Sequence, residues 1–177
     1  MRLWTTGEAE YSACERYRYT LTRTMNPDLV GDDGRTIAFV GLNPSTATEF
    51  KDDPTVRRCA GYAAREGFGR FVMLNAFAYR ATDPKDMKAQ ADPVGPGNDA
   101  ALARVARDAD LVVLAWGAHA THLDRHDAVL GLLGGLCDPV CLGVTKAGMP
   151  RHPLYLRADA PFMPYSSGCV ATRSINS

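Results

Sequence analysis

Four short, nearly continuous apolar runs constrain the fold more than any other feature of this chain. They are TIAFVGL from residue 36, RFVMLNAF from residue 70, LVVLAWG from residue 111 and PVCLGV from residue 139. A strand with one wet face alternates apolar and polar residues, whereas a strand covered on both faces need not. Segments of helical period separate the runs. In DPTVRRCAGYAAREG, residues 53 to 67, Val56, Cys59, Ala60, Ala63 and Ala64 share a face. Asp53 reads as its N-cap, Pro54 as its first helical residue and Gly67 as its terminator. NDAALARVARDA, capped by Asn98, and HLDRHDAVLGLLGGL, from His122, read as two more helices.

Strand and helix in alternation predict an α/β fold. The expected architecture is a three-layer αβα sandwich with a mostly parallel central sheet of about four strands. RYRYTLTR, residues 16 to 23, alternates polar and β-prone residues and predicts an antiparallel N-terminal edge strand. RATDPKDMKAQADPVGPG, residues 80 to 97, is polar with three prolines and reads as a loop holding at most one helical turn. A chain of 177 residues with 46 % apolar content suits a single domain, residues 1–177. Its ordered core is expected over about residues 11–160, and the Ser-, Gly- and Pro-rich tail 161–177 is expected to be loose.

Charge and cysteine usage exclude several classes. Twenty basic and twenty acidic residues cancel, which argues against a strongly basic nucleic-acid binder while leaving room for a local basic face. Five irregularly spaced cysteines do not make a disulfide framework, so a reducing cytoplasm is the expected setting. Cys137 and Cys141 lack the partners a metal site needs and read as structural. The N-terminus has no apolar signal core, and no run reaches the length of a membrane span. Neither a metal nor a cofactor is expected.

Open α/β sheets bind ligands beyond the C-terminal ends of their strands. Those ends deliver Gly41, Asn43, Pro44, Ser45 and Thr46, then Asn75, Arg80 and Thr82. Trp116, Gly117 and His119 follow, and then Lys146, Arg151, His152 and Tyr155. Singly, each has an ordinary reading. Asn-Pro starts turns, and a strand-end asparagine bonds to nearby backbone. His119, His122 and His126 are solvated helix positions rather than zinc ligands. The ordered combination carries the functional signal.

That combination is recognisable. On VGLNPSTA, DDPTVRRC, LNAFAYRATDP, DPVGPGND, LAWGAH and KAGMPRHPLYL, the chain is identified as a member of the bacterial and phage family called domain of unknown function 1643, over roughly residues 15 to 160. The same motifs more distantly resemble the uracil-DNA glycosylase superfamily. VGLNPS resembles its Gly-x-Asn-Pro loop, VMLNAFAYR its Leu-Leu-Asn segment, WGAHA its Gly-x-x-Ala motif and RHPLY its His-Pro loop. The chain departs from that pattern at Ser45, where many members have glycine or tyrosine, and at Leu154, where serine is usual. Four cluster-binding cysteines are not reproduced, so no iron–sulfur cluster is expected.

The resemblance implies a uracil-DNA glycosylase-like fold and a protein that binds a pyrimidine in DNA and hydrolyses its N-glycosidic bond. Asn43 would orient water through its amide oxygen, although an amide takes no proton near neutral pH. His152 would donate to the departing base, and Asn75 would read the base edge with its donor and acceptor. Phe50, Phe77 and Tyr79 are the stacking candidates. Gly41, Pro44, Ser45 and Thr46 would form the site loop. Arg57, Arg58, Arg80, Lys146 and Arg151 would hold phosphates, and Leu154 would wedge into a duplex from which a base has flipped. The expected partner is a nucleic acid or nucleotide containing a pyrimidine, with no membrane. Two alternatives stay open: an enzyme of free or modified nucleotides using the same pocket, or a non-catalytic nucleic-acid or nucleotide-binding module.

Overall fold

A computed structural model describes residues 2–31 and 33–166. It contains β1 Trp4–Tyr11, β2 Arg18–Met25, α1 Pro27–Val30, β3 Thr36–Gly41, α2 Pro54–Arg65, β4 Arg70–Asn75, α3 Pro84–Lys88, α4 Asn98–Asp108, β5 Leu111–Leu114, α5 Arg125–Leu133, β6 Val140–Cys141 and β7 Met163–Pro164. The seven strands form one mixed sheet in the order β1-β2-β4-β3-β5-β6-β7. The four runs that open the sequence argument are its parallel centre: β4, β3, β5 and β6.

Helices cover both faces, which is why those runs are apolar throughout. On one face, Val56, Cys59, Ala60 and Ala63 of α2 pack with Leu21, Ile37, Phe39, Phe71, Met73 and Val113. On the other, Leu102 and Ala106 of α4 and Val129 and Leu133 of α5 pack with Ala38, Val40, Val72, Leu74, Val112 and Leu114. Asp53 caps α2 by accepting from the Val56 N–H at 2.8 Å. The helix ends at Gly67, whose φ of 75° lets the Phe68 N–H turn back to the Ala63 carbonyl.

Several expectations need correction. RYRYTLTR is not an edge strand: β2 pairs antiparallel with β4 on one side and with β1 on the other. The edge is β1, WTTGEAEY, whose acidic residues and glycine give little strand signal. The ordered region thus begins well before residue 11. At the far edge, Met163–Pro164 form β7 and pair antiparallel with β6, within the segment expected to be a tail. The rest of the expected tail lies outside the described residues. The third helix begins only at Arg125, because His122 and Leu123 take non-helical angles after a 3-10 segment from Ala118. Asn98 does not cap α4, whose N-cap is Gly97. Its buried amide instead donates to the Asn75 and Ala76 carbonyls at 3.0 and 3.1 Å. Among the described residues, no helix is long and apolar enough to cross a membrane.

The loop from β3 to α2 is anchored to the antiparallel part of the sheet by Arg23. Its fully buried guanidinium donates to Asp52 Oδ1 from Nε at 3.0 Å and from Nη2 at 2.8 Å, and to the Thr48 carbonyl at 2.6 Å. The Trp4 indole donates to the other Asp52 oxygen at 2.7 Å. Removing one partner of a buried pair leaves the other charge uncompensated. Arg23→Met is therefore expected to cost about 3–5 kcal/mol, read as a lower urea midpoint with an unchanged m-value. A loss within 0.5 kcal/mol, the scale of ordinary surface substitutions, would show that Arg23 does not anchor the loop.

Candidate functional site

The register of the parallel strands sets the level of the site. Gly41 at the end of β3 lies opposite Asn75 at the end of β4, and Val40 lies opposite Leu114 of β5. Gly41, Asn75 and Trp116 therefore reach the same rim. Because β2 runs antiparallel, its first residue, Arg18, sits at that rim too, with its N–H donating to the Ala78 carbonyl at 3.0 Å. Leu42 to Ser45 leave β3 over the rim, and Asp53 and Thr55 open α2 beside it. The chain after β6 returns through Pro150, whose carbonyl accepts from the Gly117 N–H at 2.9 Å, and this places His152.

These residues enclose a cavity of about 410 Å³, within the range of small-molecule sites. Of the residues expected from sequence, Gly41, Asn43, Ser45, Asn75 and His152 line it together. The strand-end residues Thr82, Trp116, Gly117, His119 and Tyr155 also contribute, and Ala81, Thr82 and Pro84 bring the proline-rich loop into the wall.

The polar groups differ in how firmly they are held. The Asn43 amide nitrogen donates to the Ala81 carbonyl at 2.7 Å and the Pro44 carbonyl at 3.1 Å. Those bonds fix which end of the amide is which, and Oδ1 makes no hydrogen bond among the described residues. Asn75 is 2 % exposed, and its Nδ2 has no hydrogen-bond partner among the described residues. Its backbone is held by Asn98, so the strand end is rigid while the amide is uncommitted. His152 Nδ1 accepts from the Leu154 N–H at 3.3 Å, which puts the ring proton on Nε2. Burial lowers the His152 pKa from its ordinary value, while the Asp53 carboxylate pulls the other way. The imidazole is accordingly neutral near pH 7 and acts as a donor through Nε2–H.

The other expected residues lie elsewhere. Phe50 is 79 % exposed and lines a separate surface hollow with Trp4 and Arg57, so it is not a stacking residue. Phe77 is fully buried and packs on the His122 ring at 5.7 Å, outside the cavity. Tyr79 meets Tyr17 edge-on at 5.8 Å. Trp116 and Tyr155 are the aromatic residues of the cavity wall among the described residues. Pro44 is buried, with its carbonyl occupied by Asn43 and Ala81, and Thr46 is exposed outside the cavity.

None of the predicted cations reaches the cavity. Arg57 and Arg58 line a shallow hollow with Leu154 on the outer surface of α2. Arg80 donates to the Glu15 carbonyl, and Lys146 and Arg151 are exposed. The three histidines do not converge: His119 meets Lys88, His122 meets Phe77 and His126 meets the Ala120 carbonyl.

Two charged cavity residues were missed in the sequence, Arg18 and Asp53. The antiparallel direction of β2 was the available signal for Arg18, since an antiparallel neighbour starts where the parallel strands end. Asp53 was read as a cap, and it is one through Oδ1. Its Oδ2 makes no hydrogen bond among the described residues, and the side chain lines the cavity.

Fold and site together define an α/β protein with a polar cavity at the C-terminal ends of its parallel strands. The chain belongs to the family described as Protein of unknown function (DUF1643), whose model matches residues 18–154. No curated protein and no solved structure matches the chain.

Two measurements follow from this geometry. A Cβ on Gly41 would sit 2.6 Å from Met73 Cε and 3.0 Å from Asn75 Oδ1. Methionine can yield, but the amide must turn. Gly41→Ala is expected to cost about 1–3 kcal/mol by overpacking and to reorient Asn75, seen as a shift of its side-chain amide resonances. An unmoved amide signal would show that Gly41 does not set it. The second concerns pH. A folded His152 pKa below the unfolded value means that the unfolded chain binds more protons. Stability from this group is then intact above the ordinary histidine value of about 6.5 and falls as pH drops below it. His152→Gln should flatten the fall in Tm between pH 7 and pH 5, and an unchanged slope would contradict a half-buried neutral ring.

Proposed function

We propose that this protein is a uracil-DNA glycosylase-like enzyme that binds a pyrimidine in nucleic acid and hydrolyses its N-glycosidic bond, on a sandwich fold of the glycosylase type. One observation carries the reading: Asn43, Asn75 and His152, far apart in the chain, line one cavity, and Asn75 Nδ2 has no hydrogen-bond partner among the described residues. An uncommitted buried amide is costly to maintain, and a pyrimidine edge supplies both the donor and the acceptor it lacks.

The reaction needs few groups. Water attacks the anomeric carbon, the C–N bond breaks, and its electron pair leaves with the base while the sugar passes through an oxocarbenium-like state. Asn43 Oδ1 orients the water. Asp53, whose second oxygen is free in the same cavity, takes the proton that an amide cannot. His152 Nε2–H donates to the base oxygen on which charge collects, and such a donor contributes about 2.7–4 kcal/mol. Leu154 and Tyr155 follow His152 on an exposed 3-10 turn, with Arg57 and Arg58 beside Leu154. That arrangement suits a wedge flanked by phosphate contacts.

The test is a set of labelled oligonucleotides carrying uracil, mismatched thymine or modified pyrimidines, followed by alkali. Strand breaks are expected with one of them. Asn43→Ala, His152→Ala and Asp53→Asn should each reduce cleavage, the last by about 10²–10⁴-fold. Cleavage that survives all three variants would refute the assignment. The zero formal net charge favours a second reading, a free nucleotide as substrate, because duplex binders carry a basic excess. Release of base from nucleotides but not from oligonucleotides would select it. Salt-dependent binding without turnover would select a non-catalytic module instead.

A further inference from the structure

Three arginines are buried among the described residues: Arg18, Arg23 and Arg125. Two have a carboxylate. Arg23 pairs with Asp52 at 2.8 Å, and Arg125 pairs with Asp99 while donating to the Ala76 carbonyl at 2.6 Å. Arg18 has none within ion-pair distance, although it is only 2 % exposed. Its one side-chain hydrogen bond runs from Nη1 to the Ala47 carbonyl, and Nε has no partner. Burial lowers its pKa to about 10, so the guanidinium is still charged at neutral pH. Asp53 shares the cavity but spends Oδ1 on the α2 cap and does not bridge to Arg18. The Asp53 carboxylate is near enough to favour the charged guanidinium but makes no direct ion pair with it. A buried charge without such a pair is expensive, and Arg18 is the buried arginine that lines the cavity.

The other unpartnered atoms point the same way. Four buried side-chain polar atoms lack a hydrogen bond among the described residues, and three belong to cavity residues: Arg18 Nε, Asn75 Nδ2 and Trp116 Nε1. All three are donors. These atoms are themselves buried, but they belong to residues that line the cavity. Unmet donors around it, together with the Arg18 charge, favour a ligand that is rich in acceptors and negatively charged. Sheet order places the charge: β2 neighbours β4, so Arg18 lies on the Asn75 side, whereas His152 approaches Gly117 beyond β5. A ring held between Asn75 and His152 leaves Arg18 for a substituent.

We propose that the Arg18 end of the cavity is an oxyanion subsite, at which a carboxylate or phosphate carried by the ligand meets the guanidinium. Guanidinium groups bind such oxyanions through paired N–H donors. The placement of the ring rests on the nucleobase reading above; the charge preference does not.

Calorimetry at pH 7 with inorganic phosphate, uracil, 5-carboxyuracil, deoxyuridine and deoxyuridine 5′-monophosphate tests this on the intact chain. A charge-assisted hydrogen bond predicts that an acidic probe binds about tenfold or more tighter than its neutral parent. A gain confined to 5-carboxyuracil puts the oxyanion on the base. A gain with the monophosphate, or binding of phosphate alone, makes it a phosphate. Arg18→Gln should abolish the gain, and Arg18→Lys should keep part of it. Equal affinity of acidic and neutral probes for the wild type overturns the proposal without any variant, as does failure of every acidic probe to bind. Undiminished discrimination in a folded Arg18→Gln protein overturns it too. The two readings fail separately: charge discrimination without oligonucleotide cleavage removes the reaction and keeps the subsite, and cleavage without discrimination does the reverse.

Discussion

Burial of β3 on both faces, between β4 and β5, is the constraint on which the rest of the molecule depends. Its backbone groups are spent on two parallel ladders, and its side chains are spent on α2 above and on α4 and α5 below. No polar side chain can be placed along such a strand without an unmet cost. Polar chemistry is driven to the strand ends, and parallel direction brings those ends to one rim. Gly41 and Asn75 are level because the register makes them so. A side chain at Gly41 would crowd the end of Met73 and the amide opposite.

The rim also shows two ways of treating a buried polar group. Arg23 and Arg125 are satisfied from within the protein, as is the amide nitrogen of Asn98, and they fasten a loop and a strand end, although Asn98 Oδ1 has no partner among the described residues. Arg18, Asn75 and Trp116 are only partly satisfied, and they surround the cavity. Interior polar groups are normally paired. Departures gathered around one hollow, next to a neutral histidine donor and a half-used carboxylate, are what a recognition site requires.

Much of the fold was legible in the sequence. The four apolar runs and the proline-capped α2 were read from pattern because burial and capping leave local marks. The outer strands were not. β1 carries glycine and acids, β6 and β7 have two residues each, and their places are fixed by neighbours rather than by their own periodicity. The onset of α5 was misplaced because His122 and Leu123 leave helical angles, which side-chain periodicity does not record. At the site, Asn43, Asn75 and His152 were visible as strand-end motifs. Phe50 and Phe77 were chosen by residue type alone, and their real surroundings, solvent and core, are tertiary facts. Arg18 stayed hidden because its strand was read as an edge. Asp53 stayed hidden because one side chain serves two purposes and a cap explained it fully.

The cavity wall runs from Arg18 on β2 to Tyr155 after the 3-10 turn, so it is stitched from nearly the whole described length of the chain. Such long-range contacts form late, after the entropy of closing large loops has been paid. A bound ligand would therefore report on completion of the entire assembly, and it would shift the folding equilibrium as a whole rather than brace one corner. Fragments lacking either end would lack part of the wall, so the hollow is complete only when the chain is folded from β2 to the 3-10 turn.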